Sequence, residues 1–347
     1  MTGIVRLRTK KVIVGKSTSF LLLGLLAVTL AATAVAALGL GQGVHSGPLV
    51  LKLGHSLDQS HPVHVAMEHM AQRLAEKSGG TMLLEIAPNG QLGSETDCIE
   101  YLQRGALALA KTSTSPLESF VPSMAVFGVP YAFRDEDHFW KVIEGEIGEE
   151  LLAAGADHGV HGLCYYDAGA RSFYTVNRPI LAPDDLKGLK IRVQESKTSI
   201  AMLKALGGSP TPMSFGELYS ALQQRIVDGA ENNPPSFTST RHCEVCKDYS
   251  LDEHSRTPDI LLVSELWWDR LNADQKRWLT EAADESTTVQ RRLWREETNK
   301  ALRTAESEGV RIHRPDKSAF IEKVAEMHEA YGDSEIGVLL RRIEEVR

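Results

Sequence analysis

Residues 171–235 run RSFYTVNRPILAPDDLKGLKIRVQESKTSIAMLKALGGSPTPMSFGELYSALQQRIVDGAENNPP. Strands are read here at 172–176, 189–193, 209–213 and 228–232. A turn over 177–188 and helices over 197–206 and 215–224 separate them. Pro234 and Pro235 then suit the first turn of a further helix, where a missing N–H leaves no bond unmade. Strands that alternate with helices predict α/β layers with a largely parallel sheet.

The same alternation extends outward in both directions. Leu49 to Leu53 reads as a strand, and Pro62 opens a helix to about Lys77 that Gly79-Gly80 ends. Met82 to Ile86 is the next strand, with Pro88-Asn89-Gly90 as its turn. Ser94 caps a helix to about Arg104, stopped at Gly105. Further strands are expected at 107–111, 124–129 and 160–166, with a helix over 136–154. Downstream, Ile260 to Val263 is strand-like. The longest helix begins at Asn272, with Gln275 as its capping partner. Leu279, Ala282, Ala283, Val289, Leu293, Leu302 and Ala305 keep a helical stripe almost to Gly309. That predicts about 36 residues, or ~54 Å at ~1.5 Å per residue. A helix of that length suits a brace between two lobes better than the inside of one.

The size of the chain agrees. At 347 residues, 42% of them hydrophobic, two lobes are more natural than a single core. The N-terminus carries Arg6, Arg8, Lys10, Lys11 and Lys16 and then no charge from Ser17 to Leu51. A strong apolar run at Phe20 to Leu30 precedes the small residues Ala31 to Ala37. This is the order of a secretory leader, with Ala34-Val35-Ala36 as a cleavage site. An uncleaved anchor is the alternative, because 20–41 is long enough to span a bilayer. Either outcome exports the rest. Removing residues 1–36 takes five basic residues and no acid, moving the net charge from −8 to −13. Such a body repels phosphate, which argues against nucleic-acid binding. It also repels anions at long range, so a carboxylate site must rest on a few local arginines.

Several quoted segments act together: Arg171 to Tyr174, Pro183 to Val193, Gly208 to Met213, Ala221 to Gln223 and Val227 to Asn232. With Gln91-Leu92-Gly93 and Pro130 to Phe133 upstream, the chain over about 49–313 resembles the DctP-type substrate-binding proteins of TRAP transporters. The resemblance implies a two-lobed, periplasmic-binding-protein-like α/β fold of the class II type, with a hinge and a long bracing helix. It places lobe I at 49–168 plus 257–296 and lobe II at 169–256 plus 297–347. It implies a periplasmic monomer that captures a small carboxylate and delivers it to TRAP membrane permease subunits, with no cofactor and no catalysis.

Arg192 is the first candidate for the ligand carboxylate. Its flanks Ile191 and Val193 are apolar, so period-2 alternation points it the other way. A guanidinium fork makes two parallel bonds to a carboxylate and stays charged. Arg171 is the second carboxylate-directed arginine that the resemblance implies, an ion pair with Asp167 being its ordinary alternative. Asn232, with Asn233 beside it, supplies both a donor and an acceptor. Glu95 stands in the first turn of a helix, where the helix dipole favours an acid. In sugar-acid-binding members an acid at the matching position reaches polyol hydroxyls. His55 and Ser113 face the expected cleft mouth, and Phe215 offers an apolar wall. These polar groups favour a hydroxylated monocarboxylate, a hexuronate or aldonate, over a plain C4-dicarboxylate.

Other signals carry less. His64 and Glu68, with His61 and His69 nearby, are read as a solvated helix face rather than a metal site. Cys243 and Cys246 have redox-motif spacing but lack the βαβ context, so they are read as small semi-buried residues. His242 beside them gives three zinc-type ligands without a fourth. Two other classes remain open: an exported lyase or isomerase using Glu95 and His55 as acid and base, and a ligand-sensing receptor.

Overall fold

The computed structural model describes residues 47–347. The basic head, the apolar run and Ala34-Val35-Ala36 lie outside the described residues. The chain first builds one half of the molecule: β1 (Leu49–Gly54), α1 (Pro62–Lys77), β2 (Met82–Ala87), α2 (Glu95–Gln103), β3 (Leu109–Ser113) and α3 (Thr114–Leu117). A 3-10 segment (Pro122–Gly128), α4 (Glu136–Ile143), α5 (Glu146–Ala153) and β4 (Val160–Tyr166) follow. Residues 167–170 cross to the other half. There the chain forms β5 (Arg171–Thr175), β6 (Lys190–Val193), α6 (Lys197–Ala205), β7 (Ser209–Pro212) and α7 (Leu218–Gln223). It continues through β8 (Gly229–Asn232), α8 (Pro234–Ser239), α9 (His242–Val245) and β9 (Asp248–Ser255). Residues 256–258 cross back. The last elements are β10 (Asp259–Ser264), α10 (Glu265–Trp268), α11 (Ala273–Ser307), β11 (Arg311–His313), α12 (Ser318–Ala330) and α13 (Glu335–Glu345).

Two sheets result, with orders β2-β1-β3-β10-β4 and β11-β9-β5-β8-β6-β7. Both are mixed, where the alternation predicted largely parallel pairing. β10 lies antiparallel between β3 and β4, and β5 is antiparallel to β8 and β9. Connectivity explains the first case. Asp259 opposes Ser113 and Tyr166, so β10 enters the sheet at the end where β3 and β4 leave it and must run back.

Most expected elements appear within a residue or two, and two do not. The expected strand over 124–129 is the 3-10 segment, which Pro122 opens and whose Met124, Val126 and Phe127 are all buried. Burial on every side gives no alternation to read. The expected helix over 136–154 is two helices, because Gly145 in extended backbone ends one and opens the next.

The long helix α11 has the predicted capping box, Asn272 accepting from the Gln275 N–H and Gln275 reaching back. Its Leu279, Ala282, Ala283 and Trp294 pack with the core of the first sheet. Its Ala305 joins a core of the second. At the crossing, the buried Gln290 side chain accepts from Asp167 N and donates to Asp167 O, both at 2.8 Å. The helix therefore braces both lobes and is pinned where the chain passes between them. The C-terminal residues divide, although 297–347 was expected to belong to lobe II. α12 puts Phe320 and Val324 into the second sheet's core, whereas α13 returns Leu339 and Ile343 to the first.

Candidate functional site

A cavity of about 300 Å³ opens between the two sheets. From the first half it is lined by Ser56, Glu95 and Pro116, and from the second by Arg192, Gln194 and Phe215. The walls are joined by polar contacts: the Ser113 hydroxyl 3.5 Å from Gln194 Oε1, Thr96 to Glu195 at 3.4 Å, and Thr198 N–H donating to Glu118 at 3.0 Å.

Arg192 sits in β6, where Ile191 and Val193 point into an apolar core and the guanidinium leaves by the opposite face. It is 2% exposed. Its Nε and Nη2 donate to the Met213 carbonyl at 3.0 and 2.7 Å, which fixes the plane of the fork. Nη1 is buried and has no hydrogen-bond partner among the described residues. The half-buried Phe215 ring lies 5.9 Å from its Cζ. Burial lowers the Arg192 pKa from its ordinary value. A charge kept this dry, with one nitrogen uncommitted, favours an anion in the cavity.

Arg171 behaves differently. It is also buried, but its ion-pair partner is Glu231, not Asp167. Nε and Nη2 fork onto the Glu231 carboxylate, Nη2 also donates to the Glu231 carbonyl at 2.8 Å, and Nη1 donates to Asn232 Oδ1 at 2.9 Å. A guanidinium has five N–H donors, so four are committed inside the protein and one remains on Nη1. Burial would raise the Glu231 pKa, yet Arg171 and His254 bring it down to about 2. Asn232 Oδ1 also accepts from Asn233 N, and Asn233 Oδ1 accepts from Ser236 N to cap α8. Arg171 therefore anchors Asn232, and Asn233 is a helix cap.

On the facing wall, Glu95 follows the Ser94 capping box of α2. Its Oε1 accepts from Lys111 Nζ at 3.0 Å, from Ser113 N at 3.2 Å and from the Ser56 hydroxyl at 3.4 Å. Lys111 Nζ also reaches Asp259 Oδ1 at 3.1 Å. Lys111 is 2% exposed. Burial raises the Asp259 pKa to about 6, with Lys111 pulling the other way. Sequence reasoning missed Lys111, Asp259 and Glu231. For Lys111 a signal existed: by period-2 alternation it shares a strand face with Leu109, which is buried in the first sheet's core.

The histidines correct the sequence reading. His61 and His64 are buried, not on a solvated face. His55 is 2% exposed and does not line the cavity. Its Nδ1 accepts from Leu57 N, and its Nε2 lies 2.9 Å from His64 Nδ1, so both ring nitrogens are used internally. Burial, followed by the Lys111 charge, holds His55 at about 2 and His61 at about 3. Both are neutral, which makes His55 ill-suited to act as an acid or base. Cys243 and Cys246 are free, buried thiols, and burial pushes Cys243 up to about 12. Among the described residues there is no group of three or more His, Cys, Asp or Glu arranged to hold a metal ion.

Of the eight candidate residues, Glu95, Arg192 and Phe215 line the cavity. Ser113 touches Glu95 and Gln194 at its edge. Arg171, Asn232 and Asn233 form a network among themselves, and His55 is packed beneath Glu95's wall.

The model of the family described as bacterial extracellular solute-binding protein, family 7 (DctP), matches residues 53–334. A TRAP periplasmic solute-binding protein from Bradyrhizobium, solved in complex with galacturonate, is 40% identical. It covers 85% of this chain and 99% of that one, with a TM-score of 0.83. A second, from Pseudomonas putida F1 with bound D-glucuronate, is 34% identical over 86% of this chain and 98% of that one, also at 0.83. The C4-dicarboxylate-binding periplasmic protein DctP of Rhodobacter capsulatus is 34% identical, covering 76% of this chain and 79% of its own length.

Proposed function

This chain belongs to the DctP family of bacterial extracellular solute-binding proteins, and from that premise we propose that it captures a sugar acid, a hexuronate or aldonate, in the cleft between its sheets. It is a TRAP-type binding protein for transport, not an enzyme. In this proposal the leader is cut after Ala36, the mature monomer works in the periplasm, and the loaded form docks on TRAP permease subunits. The moving bodies are the two sheets with their cores, divided at 167–170, 256–258 and within α11, with α13 carried by the first.

The observation that carries the reading is the buried, partly unpartnered Arg192 on one wall facing the Glu95 carboxylate on the other. Arg192 receives the ligand carboxylate. Glu95 accepts from hydroxyls at the far end and repels a second anionic group there. Asn232 and the last Nη1–H of Arg171 complete the clamp, and Phe215 packs against the sugar ring.

Thermal unfolding of the mature protein with D-galacturonate, D-glucuronate, D-gluconate and succinate tests this. A ligand at about 100 times its Kd stabilises by ~2.7 kcal/mol, a clear rise in Tm. The expected outcome is a shift with a uronate or aldonate, and calorimetric binding without turnover. A shift with succinate alone keeps the transport role and refutes the part given to Glu95.

A further inference from the structure

We propose that Lys111 is a positioning residue for ligand selection: it holds Glu95 Oε1 away from the cavity, so that Oε2 alone meets the ligand. This deepens, and rests on, the sugar-acid reading above. Three donors converge on Oε1: the Lys111 ammonium, the Ser113 N–H and the Ser56 hydroxyl. The carboxylate is thereby turned as well as neutralised on one side. Lys111 itself is fully enclosed and takes no place in the cavity lining, so it acts through Glu95 and not on the ligand.

The charge balance gives the reason for a lysine here. On the first wall, Glu95 and Asp259 are two acids and Lys111 is the cation between them, leaving one net negative charge. Among the buried groups of the second wall, Arg171 is matched by Glu231, while Arg192 has no acidic partner within ion-pair distance among the described residues, leaving one buried positive charge; Glu195 and Glu217 line the same cavity as exposed acids. A ligand with a carboxylate at one end and hydroxyls at the other matches that polarity. Without Lys111, Asp259 loses the cation that opposes its burial, so it holds its proton to higher pH and can donate to Glu95. Glu95 is then drawn toward Asp259 whenever that acid is protonated, and its aim into the cavity varies with pH. The titratable and charged groups that face this pair are His55 and His61 from the connection between β1 and α1, Cys98 from α2, Arg171 from β5 and Arg192 from β6.

Calorimetry with D-galacturonate and D-glucuronate between pH 7 and 8.5, above the Asp259 value of about 6, tests the assignment on the wild type, Lys111→Met and Lys111→Met/Asp259→Asn. For the wild type a flat Kd is expected across this range. In Lys111→Met the uronate Kd rises at least tenfold and varies at least threefold with pH. The double variant removes the acid left without its partner, so it folds even where the single variant does not. Its pH dependence disappears, while a loss of threefold or more persists because Glu95 is no longer aimed. If Lys111 is merely structural, the single variant melts lower but binds within twofold of wild type with a flat profile; that result overturns the assignment. So does a double variant that binds within twofold of wild type. A wild type that binds neither uronate nor aldonate overturns the sugar-acid reading, and this assignment with it.

Discussion

A single buried guanidinium nitrogen without a partner separates the two arginines of the site, and substitution exposes the difference. Arg192→Ala removes the cation that faces the cavity, and is expected to weaken uronate binding by about 2–5 kcal/mol, thirtyfold or more, as read by calorimetry. Its ligand-free Tm changes little, because it holds no acid within the fold. Arg171→Ala leaves the buried Glu231 with His254 alone as its counter-ion, a loss of about 3 kcal/mol of stability, so the ligand-free Tm falls first. Unchanged uronate affinity in a folded Arg192→Ala protein removes that residue from the site. Arg192 was legible because Ile191 and Val193 alternate around it. The burial of Lys111 could have been read from its alternation with Leu109, but the pairings Arg171–Glu231 and Lys111–Asp259 could not, because the partners lie 60 or more residues apart. A pH dependence belongs to this scale too. Burial disfavours the His254 charge, but Asp252, 2.8 Å away, and Glu231 raise its pKa to about 9. A histidine pKa raised above its unfolded value near ~6.5 stabilises the fold fully below that pH and is lost as pH climbs through 9. The urea midpoint of the wild type should therefore fall between pH 6.5 and 9.5, and that of His254→Gln should fall less.

Elements with their own start and stop signals could be read from the chain. Ser94 before α2 and Asn272 before α11 both form the predicted caps. Such caps are local hydrogen bonds between residues three apart and need no tertiary context. Asn272→Ala should cost about 1 kcal/mol, seen as a Tm lower by about 2 °C, with uronate affinity unaltered because the cap lies at the far end of the brace. Elements defined by what surrounds them were not legible. β9 has the sequence DYSLDEHS, whose acids look exposed, yet Asp248 is buried by Arg311 and His313 from β11 and Asp252 by His254. The 3-10 segment at 122–128 was mistaken for a strand for the related reason that most of its residues, Met124, Val126 and Phe127 among them, are buried without alternation. The return of α13 to the first half cannot be read from an amphipathic stripe at all, since the stripe shows that a face is buried and not against what.

The whole molecule is two cores held together by few bonds. The first sheet's clusters and the second sheet's clusters share almost no residues; Phe215 and Tyr131 are the apolar side chains that reach across. Other bridges over the cleft are hydrogen bonds: Ser113 to Gln194 and Thr96 to Glu195 at 3.4–3.5 Å, and the shorter Thr198 N–H to Glu118 at 3.0 Å. The contacts at 3.4–3.5 Å contribute little, so the pairs beside the cavity do little by themselves to favour closure. A ligand that holds Arg192 with one end and Glu95 with the other binds the closed form better than an open one, and that difference is what shifts the population. The expected outcome is measurable without knowing the affinity. In solution scattering the radius of gyration should shrink on adding a saturating uronate, and amide exchange should slow at 94–96 and 192–195 while the cores of both sheets stay unchanged. Arg192→Ala should show neither effect at the same ligand concentration. A wild type whose radius and exchange do not respond to a ligand that calorimetry shows to be bound would mean that the lobes close without it, and the clamp would then lie in the fold and not in the two charged walls.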